Sequence, residues 1–139
     1  MASLPFELVS PERLLVSEQV DSVTAPGIEG EFTVLAGHAP FITILKPGIV
    51  TVTATGGATR RLYVRGGFAE VNPTGLTILA DVAIPVEELD GARITAEVAA
   101  AQALVERAQD DDARRRATER LAWINDAAGA ASPQNTTAH

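Results

Sequence analysis

The sequence predicts a mainly β N-terminal sandwich or flattened barrel of short antiparallel strands, followed by a C-terminal antiparallel α-helical hairpin. Residues 1–86 contain nine of the 11 glycines and 11 of the 13 valines, whereas residues 87–139 contain 15 of the 24 alanines. Apolar residues alternate with polar ones in the first part and recur every three or four residues in the second. Because valine favours strands and alanine favours helices, we predict a β-sandwich domain at 1–86, a helical hairpin at 87–128 and a disordered tail at 129–139.

Eight or nine short strands are predicted in the first part, because turn signals recur between the alternating runs. Gly56-Gly57 predicts a two-residue hairpin turn, and Asn72–Gly75 predicts a second turn. No helix-length segment separates the strands, so a parallel sheet with helical crossovers is not expected. The clearest predicted strands are Phe6–Val9, Leu14–Ser17, Val20–Ala25, Glu31–Leu35, Phe41–Leu45, Val50–Thr53, Arg60–Arg65 and Leu76–Ala80.

Two helices are predicted in the second part. Asp90 is the predicted N-cap of a helix that ends near Gln109. A second helix is predicted from about Ala113 to Ala128, after three aspartates that suit the positive end of a helix dipole. Each helix has an apolar stripe that it cannot bury alone, so the two are expected to pack together or against another surface. The stripes are Ile94, Val98, Ala101, Val105 and Ala108 in the first helix, and Ala117, Leu121, Ile124 and Ala128 in the second.

The composition of the 139-residue chain excludes several functional classes. Its net charge is −7 and Lys46 is its single lysine, so no surface for nucleic acid or anionic lipid is expected. It has no cysteine and two histidines, so neither a metal site nor a catalytic triad is expected. No segment is typical of a signal peptide or a membrane span, which predicts a soluble cytosolic protein without direct membrane insertion. A small β-sandwich enzyme or carbohydrate-binding module is the alternative, although six aromatic residues offer little material for its cleft.

The most informative stretch is Pro26–Pro40, in which glycines and prolines impose turns around a short apolar strand. Leu45–Gly48 follows it, and two further blocks lie at Gly66–Val71 and Leu79–Asp81. In order and spacing, these blocks resemble the epsilon subunit of bacterial F-type ATP synthases, which is called the delta subunit in mitochondria. The resemblance covers about residues 5–128 and agrees with the sandwich and hairpin predicted from periodicity.

The resemblance implies a non-catalytic rotor subunit that requires no cofactor and no metal. In this family the sandwich lies at the foot of the central stalk, against the gamma subunit and the ring of c subunits. It helps to couple proton flow to ATP synthesis. The hairpin either folds against the sandwich or extends toward the α and β subunits and inhibits ATP hydrolysis. The implied location is peripheral, on the cytoplasmic face of the bacterial inner membrane.

For the turn at Glu29, Gly30 and Glu31, the resemblance implies contact with the polar loops of the c ring. The alternative is a solvated acidic turn. A carboxylate at Glu31 could pair with a basic group of the ring, although an exposed ion pair contributes only ~0–1 kcal/mol. The residues alone favour the solvated turn, and the resemblance favours contact at Glu31.

For the loop at His38, Ala39 and Pro40, the resemblance implies contact with the gamma subunit. The alternative is a histidine side chain held by its own loop, and the residues favour neither reading. Gly66 and Gly67 are interpreted as structural, because a glycine pair permits a bend or a close approach between strands.

The hairpin raises the question of ATP as a weak regulatory ligand. Many family members bind ATP through a motif of Ile or Leu, Asp, two variable residues, Arg and Ala, with further arginines on the second helix. Here Ile94 replaces the alanine, and Gly91 weakens the start of the helix. The alternative is that the aspartate caps the helix and the arginine is solvated. The candidate ATP-binding residues are Leu89, Asp90, Arg93, Arg116 and Arg120.

Four arginines on the second helix have two interpretations. Three follow Asp110–Asp112 at a spacing of four residues, which predicts pairs that stabilise the helix by ~0.2–0.5 kcal/mol each. The sharper interpretation, within the family resemblance, is that they meet acidic segments of the α and β subunits when the hairpin extends, and both interpretations can hold. The candidate inhibitory residues are Arg114, Arg115, Arg116 and Arg120.

Overall fold

The computed structural model describes residues 2–131, which form two compact units that divide between Pro85 and Val86. The first unit consists of nine strands, within the range predicted from the sequence. Its strands are β1 Leu4–Val9, β2 Leu14–Gly27, β3 Gly30–Leu35, β4 Phe41–Ile44, β5 Gly48–Ala54, β6 Thr59–Arg65, β7 Phe68–Asn72, β8 Gly75–Leu79 and β9 Val82–Pro85.

The strands follow the order β4-β7-β8-β1-β2-β5-β6-β9, and β3 pairs with β2 beside that path. β2 has 14 residues and pairs with three partners along its length. Residues 14–20 pair with β1, residues 22–27 pair with β3, and residues 20–24 pair with β5. The long strand therefore joins the two halves of the sheet, which fold over a shared interior.

The interior is filled by small aliphatic side chains from alternate strand positions, as the low aromatic content requires. In β1, Leu4, Phe6 and Leu8 are buried, while the residues between them are exposed. Val50 and Val52 are fully buried in the same core. Burying a residue of this kind contributes roughly 1.5–3 kcal/mol, so the alternation both orients each strand and stabilises the unit.

Three local features differ from the sequence prediction. β1 and β8 run parallel, whereas the other strand pairs in residues 2–131 are antiparallel. The predicted strands Leu14–Ser17 and Val20–Ala25 are one continuous strand, since residues 14–20 pair with β1 and residues 20–24 with β5. The loop at Gly56-Gly57 spans residues 55–58 instead of two, and the Ala54 N–H donates to the Ala58 carbonyl at 2.7 Å to close it.

The second unit begins with a 3₁₀ turn at Val86–Glu88 and continues as two helices, α1 Gly91–Arg107 and α2 Asp111–Ala131. The predicted stripes are confirmed in outline, because their members are buried or partly buried while most residues between them are exposed. Neither helix has a stretch long and apolar enough to traverse a bilayer, within the residues described.

The second helix is longer than the sequence predicts. It was expected to end at Ala128, but Gly129–Ala131 are helical, so the predicted disordered tail cannot begin at residue 129. Ala127 and Ala131 lie one turn apart and both are buried, so their burial offsets the cost of the intervening glycine. The rest of the predicted tail, residues 132–139, lies outside the described residues.

We expect Gly67→Ala to destabilise the sandwich far more than Gly56→Ala. Both glycines have φ near +100°, a conformation that disfavours any side chain, but only Gly67 is crowded. A Cβ there would collide with the Leu79 carbonyl oxygen and lie 2.7 Å from the Ala80 Cα. Chemical denaturation should show ~1–2 kcal/mol lost for Gly56→Ala and at least ~2 kcal/mol more for Gly67→Ala. Equal losses would contradict the close approach between these strands.

Candidate interaction surfaces

The residues predicted to contact a c ring lie where β2 turns into β3, with Glu29 in the turn and the other two at the start of β3. We call this set the acidic tip: Glu29, Gly30 and Glu31. Gly27 pairs with Gly30 across the turn, and Gly30 has φ +137°, which a side chain would disfavour. The neighbouring Ile28 N–H donates to the Ile44 carbonyl at 2.8 Å, which ties the turn to β4. The tip is therefore fixed in the backbone, while both of its carboxylates are exposed.

The residues predicted to contact gamma lie in the histidine loop, residues 36–40, between β3 and β4. His38 donates its backbone N–H to the Leu35 carbonyl at 3.1 Å, and its Nδ1 lies 2.8 Å from the Ala39 carbonyl oxygen. The imidazole also packs 5.2 Å from the Phe41 ring. The loop thus holds its own histidine, as the alternative interpretation expected, and it remains exposed at His38, Ala39 and Pro40.

The histidine loop borders a cavity of about 400 Å³. The N-terminal segment Ser3–Pro5 and the turn Asn72–Gly75 complete the wall. The Asn72 Oδ1 fixes this turn, because it accepts hydrogen bonds from the Thr74 N–H at 2.9 Å and from the Thr74 hydroxyl at 2.6 Å. The predicted turn at Asn72–Gly75 is confirmed, and it lies beside the histidine loop.

The acidic tip and the histidine loop flank β3 at its two ends. Four residues of β3, Phe32–Leu35, separate them, which corresponds to roughly 13–17 Å. Phe32 of β3 and Phe41 of β4 pack edge to face between the two sites, with ring centroids 5.1 Å apart. The structure therefore holds the two predicted contacts apart on a rigid element and does not bring them into one site.

A third surface was not predicted from the sequence. The strand register aligns apolar residues across five neighbouring strands, through the pairs Ile44 with Phe68, Phe68 with Leu79, Leu79 with Val9, and Val9 with Leu14. Directly paired residues share one face of a sheet. We call this set the apolar row: Ile44, Phe68, Leu79, Val9 and Leu14.

The apolar row lies on the outer face of the sheet. Ile44, Phe68, Leu79 and Leu14 are 62%, 38%, 40% and 56% exposed, and Val9 is partly buried. The strand positions next to them, such as Leu8, Ala69 and Ile78, are buried in the core. One local signal in the sequence indicates such a surface: runs such as Leu14-Leu15-Val16 do not alternate and place apolar residues on both faces of a strand. The pairing that brings the runs together is long-range, and the sequence does not reveal it.

In the hairpin, Asp90 is the N-cap of α1, as predicted. Its Oδ1 accepts a hydrogen bond from the Arg93 N–H at 2.9 Å, and the Arg93 side chain is exposed. Leu89 is buried, so two members of the candidate ATP-binding set have structural roles in this conformation. Arg116 and Arg120 lie one turn apart on α2, with Arg120 partly buried. ATP binding stays a prediction from the sequence.

The arginines near the start of α2 are arranged differently from the predicted pairs. Asp110 caps the helix, because its Oδ1 accepts the Ala113 N–H at 2.7 Å. Arg115 pairs with Asp112 at 3.3 Å, a spacing of three residues where four was expected. Both side chains are more than three-quarters exposed, so this pair contributes at most ~1 kcal/mol. Arg114, Arg115 and Arg116 all face solvent and are available to a partner.

No group of three or more His, Asp or Glu side chains is placed to hold a metal ion within residues 2–131. Within residues 2–131, the exposed features described above are the two turns, the histidine loop, the apolar row and the arginines near the start of α2. These features suit contacts with other macromolecules.

Comparison with known proteins identifies the family of the chain. Residues 3–86 match the family model of the ATP synthase delta/epsilon chain, beta-sandwich domain. The chain belongs to the ATP synthase delta/epsilon family. An ATP synthase epsilon chain from Parvibaculum lavamentivorans is 50% identical over 118 residues, which span 85% of this chain and 89% of the relative. The epsilon chain of Mesorhizobium japonicum is 48% identical over 128 residues, covering 92% and 95% of the two chains.

Solved structures extend the comparison to both units of this delta/epsilon family member. A chain in the mitochondrial ATP synthase of Euglena gracilis, from an OSCP, F1 and c-ring assembly, is 28% identical with a TM-score of 0.71. That match covers 100% of this chain and 83% of the other. A chain from the central stalk and c-ring of Tetrahymena thermophila ATP synthase is 13% identical with a TM-score of 0.65, and shares the fold. The resemblance and the fold class predicted from the sequence are confirmed.

We expect Asp90→Ala and Asp110→Ala each to lower hairpin stability by ~0.5–2 kcal/mol, because each removes an N-cap acceptor. Asp90→Asn and Asp110→Asn keep an acceptor oxygen and should lose much less. Thermal unfolding followed by circular dichroism, with hydrogen exchange of the first-turn amides, measures both effects. Asp126→Ala, an exposed position within α2, is the control. Equal losses for the Ala and Asn variants would show that capping is not the cause.

Proposed function

We propose that this chain is a non-catalytic rotor subunit of an F-type ATP synthase, located peripherally on the cytoplasmic face of the bacterial inner membrane. It couples proton flow through the c ring to ATP synthesis by binding the gamma subunit. The observation that carries this proposal is the exposed apolar row on a well-packed sheet. Contiguous apolar surface of this kind is typical of a protein interface, and membership of the delta/epsilon family identifies the kind of assembly.

Gamma binds the apolar row and the histidine loop. The loop leads into Phe41, the first residue of β4, and Ile44, the last residue of that strand, begins the row, so β4 connects the two surfaces with one at each of its ends. Burying Ile44, Phe68 and Leu14 removes large apolar side chains from water and supplies affinity. The histidine loop, which is held by its own hydrogen bonds, adds a preorganised polar edge.

The acidic tip contacts the polar loops of the c ring. Its backbone is tied to β4 through Ile28 and to β2 through the Gly27–Gly30 pair, so a load on the tip passes into the sheet. Glu29 and Glu31 are exposed, which leaves both carboxylates open to basic groups of the ring. Since each exposed ion pair contributes only ~0–1 kcal/mol, this contact specifies orientation and gamma supplies most of the binding free energy.

The hairpin regulates ATP hydrolysis. The exposed arginines of α2 meet acidic segments of the α and β subunits when the hairpin extends, and this contact restrains rotation in the hydrolysis direction. ATP is a weak ligand of the hairpin at most, because Asp90 is engaged as a cap and Leu89 is buried in the conformation described.

We expect the double variant Ile44→Ser and Phe68→Ser to weaken binding to gamma by at least ~10-fold, about 1.4 kcal/mol, because both large apolar contacts are lost. Leu104→Ser on α1 is the matched control, since Leu104 is also an exposed large apolar residue but lies outside the sandwich. Surface plasmon resonance with purified gamma measures the affinity. Wild-type protein that does not bind gamma at all would overturn the proposed function.

We expect replacement of Arg114, Arg115, Arg116 and Arg120 by alanine to raise ATP hydrolysis by the assembled complex roughly 2- to 10-fold, because each exposed pair contributes ~0–1 kcal/mol. Gamma binding and coupled synthesis should be preserved, since these side chains lie outside the sandwich. Arg107→Ala, an exposed arginine at the end of α1, is the control. Unchanged hydrolysis in the fourfold variant would exclude these arginines from the restraint.

A further inference from the structure

We propose that the apolar row receives an amphipathic α-helix of its partner, which lies across the strands with basic residues on the side that faces Glu7 and Glu70. The inference rests on the proposed function, which supplies gamma as the partner. It goes further by specifying the secondary structure, the direction and the charge of the segment that binds.

The spacing of the row matches a helix. Neighbouring strands lie about 4.7–4.9 Å apart, so the five members of the row extend over roughly 19 Å in a direction perpendicular to the strands. An α-helix rises 5.4 Å per turn, so side chains on successive turns meet successive members of the row. An extended strand advances 3.3 Å per residue and places alternate side chains on opposite faces, which gives a poorer match.

The backbone of the row is already paired. β7, β8 and β1 each have a neighbouring strand on both sides, so their N–H and C=O groups are not available for strand addition at Phe68, Leu79 and Val9. A partner can use only the side chains of this outer face. Packing of a helix stripe on a sheet face uses side chains alone and therefore suits this part of the sheet.

A groove in the middle of the row gives it an anchor point. Val9, Phe68 and Leu79 line a depression of about 300 Å³ together with Ser10, Gly67 and Ala80. Because Gly67 has no side chain, the backbone just before β7 lies close to the backbone of Leu79 and Ala80. One large apolar side chain of the partner fits such a depression, and interfaces concentrate their binding energy in anchors of this kind.

The margins of the row are acidic. The next register row carries Glu70, paired with Ile42 and Thr77, and Glu7, paired with Thr77 and Ser17. Asp81 lines the groove as well. A helix with lysine or arginine beside its apolar stripe complements these carboxylates. A second copy of this chain, with its net charge of −7, would bring like charges together at the same margin.

The test places a photo-reactive phenylalanine analogue in the full-length chain at Ile44, at Leu79 or at Leu14 and cross-links each variant to purified gamma. Each step along this series crosses two strands, about 9.6 Å, so a helix predicts attachment sites roughly six to seven residues apart in one continuous segment. A spacing of about three residues would indicate an extended strand and overturn the helix. Sites scattered over separate segments would also overturn it, as would cross-linking between two copies of this chain.

Binding measurements separate this inference from the proposed function. If gamma binds the variants normally but none of the three positions cross-links to it, the row is not the docking site, while the rotor function stands. If wild-type protein does not bind gamma, the function itself fails.

The charge of the partner is tested with Glu7→Gln and Glu70→Gln together. We expect the association rate with gamma to fall about 2- to 10-fold at low salt and the difference to shrink as salt is raised. Glu106→Gln on α1 is exposed and serves as the control. An unchanged association rate for the double variant, or the same loss in the control, would overturn the basic margin.

Discussion

The continuous pairing of β2 with three partners is the constraint on which the sandwich depends. Val16 and Val20 enter the core in the part of the strand that pairs with β1, and Val23 and Ala25 enter it in the part that pairs with β3. The same strand therefore contributes to both halves of the sheet. Its first residue, Leu14, ends the apolar row, and its last residue, Gly27, closes the acidic tip. One strand thus positions two surfaces at opposite ends.

Local patterns in the sequence were sufficient for most of the fold. Alternation such as Leu4-Pro5-Phe6-Glu7-Leu8 predicts a half-buried strand, because successive side chains of a strand point to opposite faces of the sheet. Asp90 and Asp110 precede their helices at a spacing that favours capping, and both act as caps in the structure. What local patterns do not contain is the choice of partner strand. The parallel pairing of β1 with β8 joins residues 70 positions apart, and nothing near either strand specifies it.

The same limit explains why the apolar row could not be predicted. Phe68 and Leu79 are 11 positions apart and belong to strands that could have been joined in another register. A shift of one residue would move both side chains into the core. In the observed register, the buried neighbours Ala69 and Ile78 take those core positions instead. The exposure of the row is thus a consequence of how the core packs. The register that buries Ala69 and Ile78 is the same register that exposes Phe68 and Leu79.

The arrangement of surfaces gives a physical reason for a sandwich at this place in a rotor. Under the proposed function, gamma exerts force on the apolar row and the c ring exerts force on the acidic tip. A load between them passes through the hydrogen bonds of β4 to Ile28 and through the Phe32–Phe41 contact. The load is distributed over many hydrogen bonds and side-chain contacts of the sheet, whereas a hinge would bend under it and transmit less. Three of the four buried residues in α1 and α2 are alanines, whose small side chains bury less apolar area than valine or leucine. Under the proposed function, a rigid first unit and a hairpin that rearranges more easily follow from the same division between valine and alanine in the sequence.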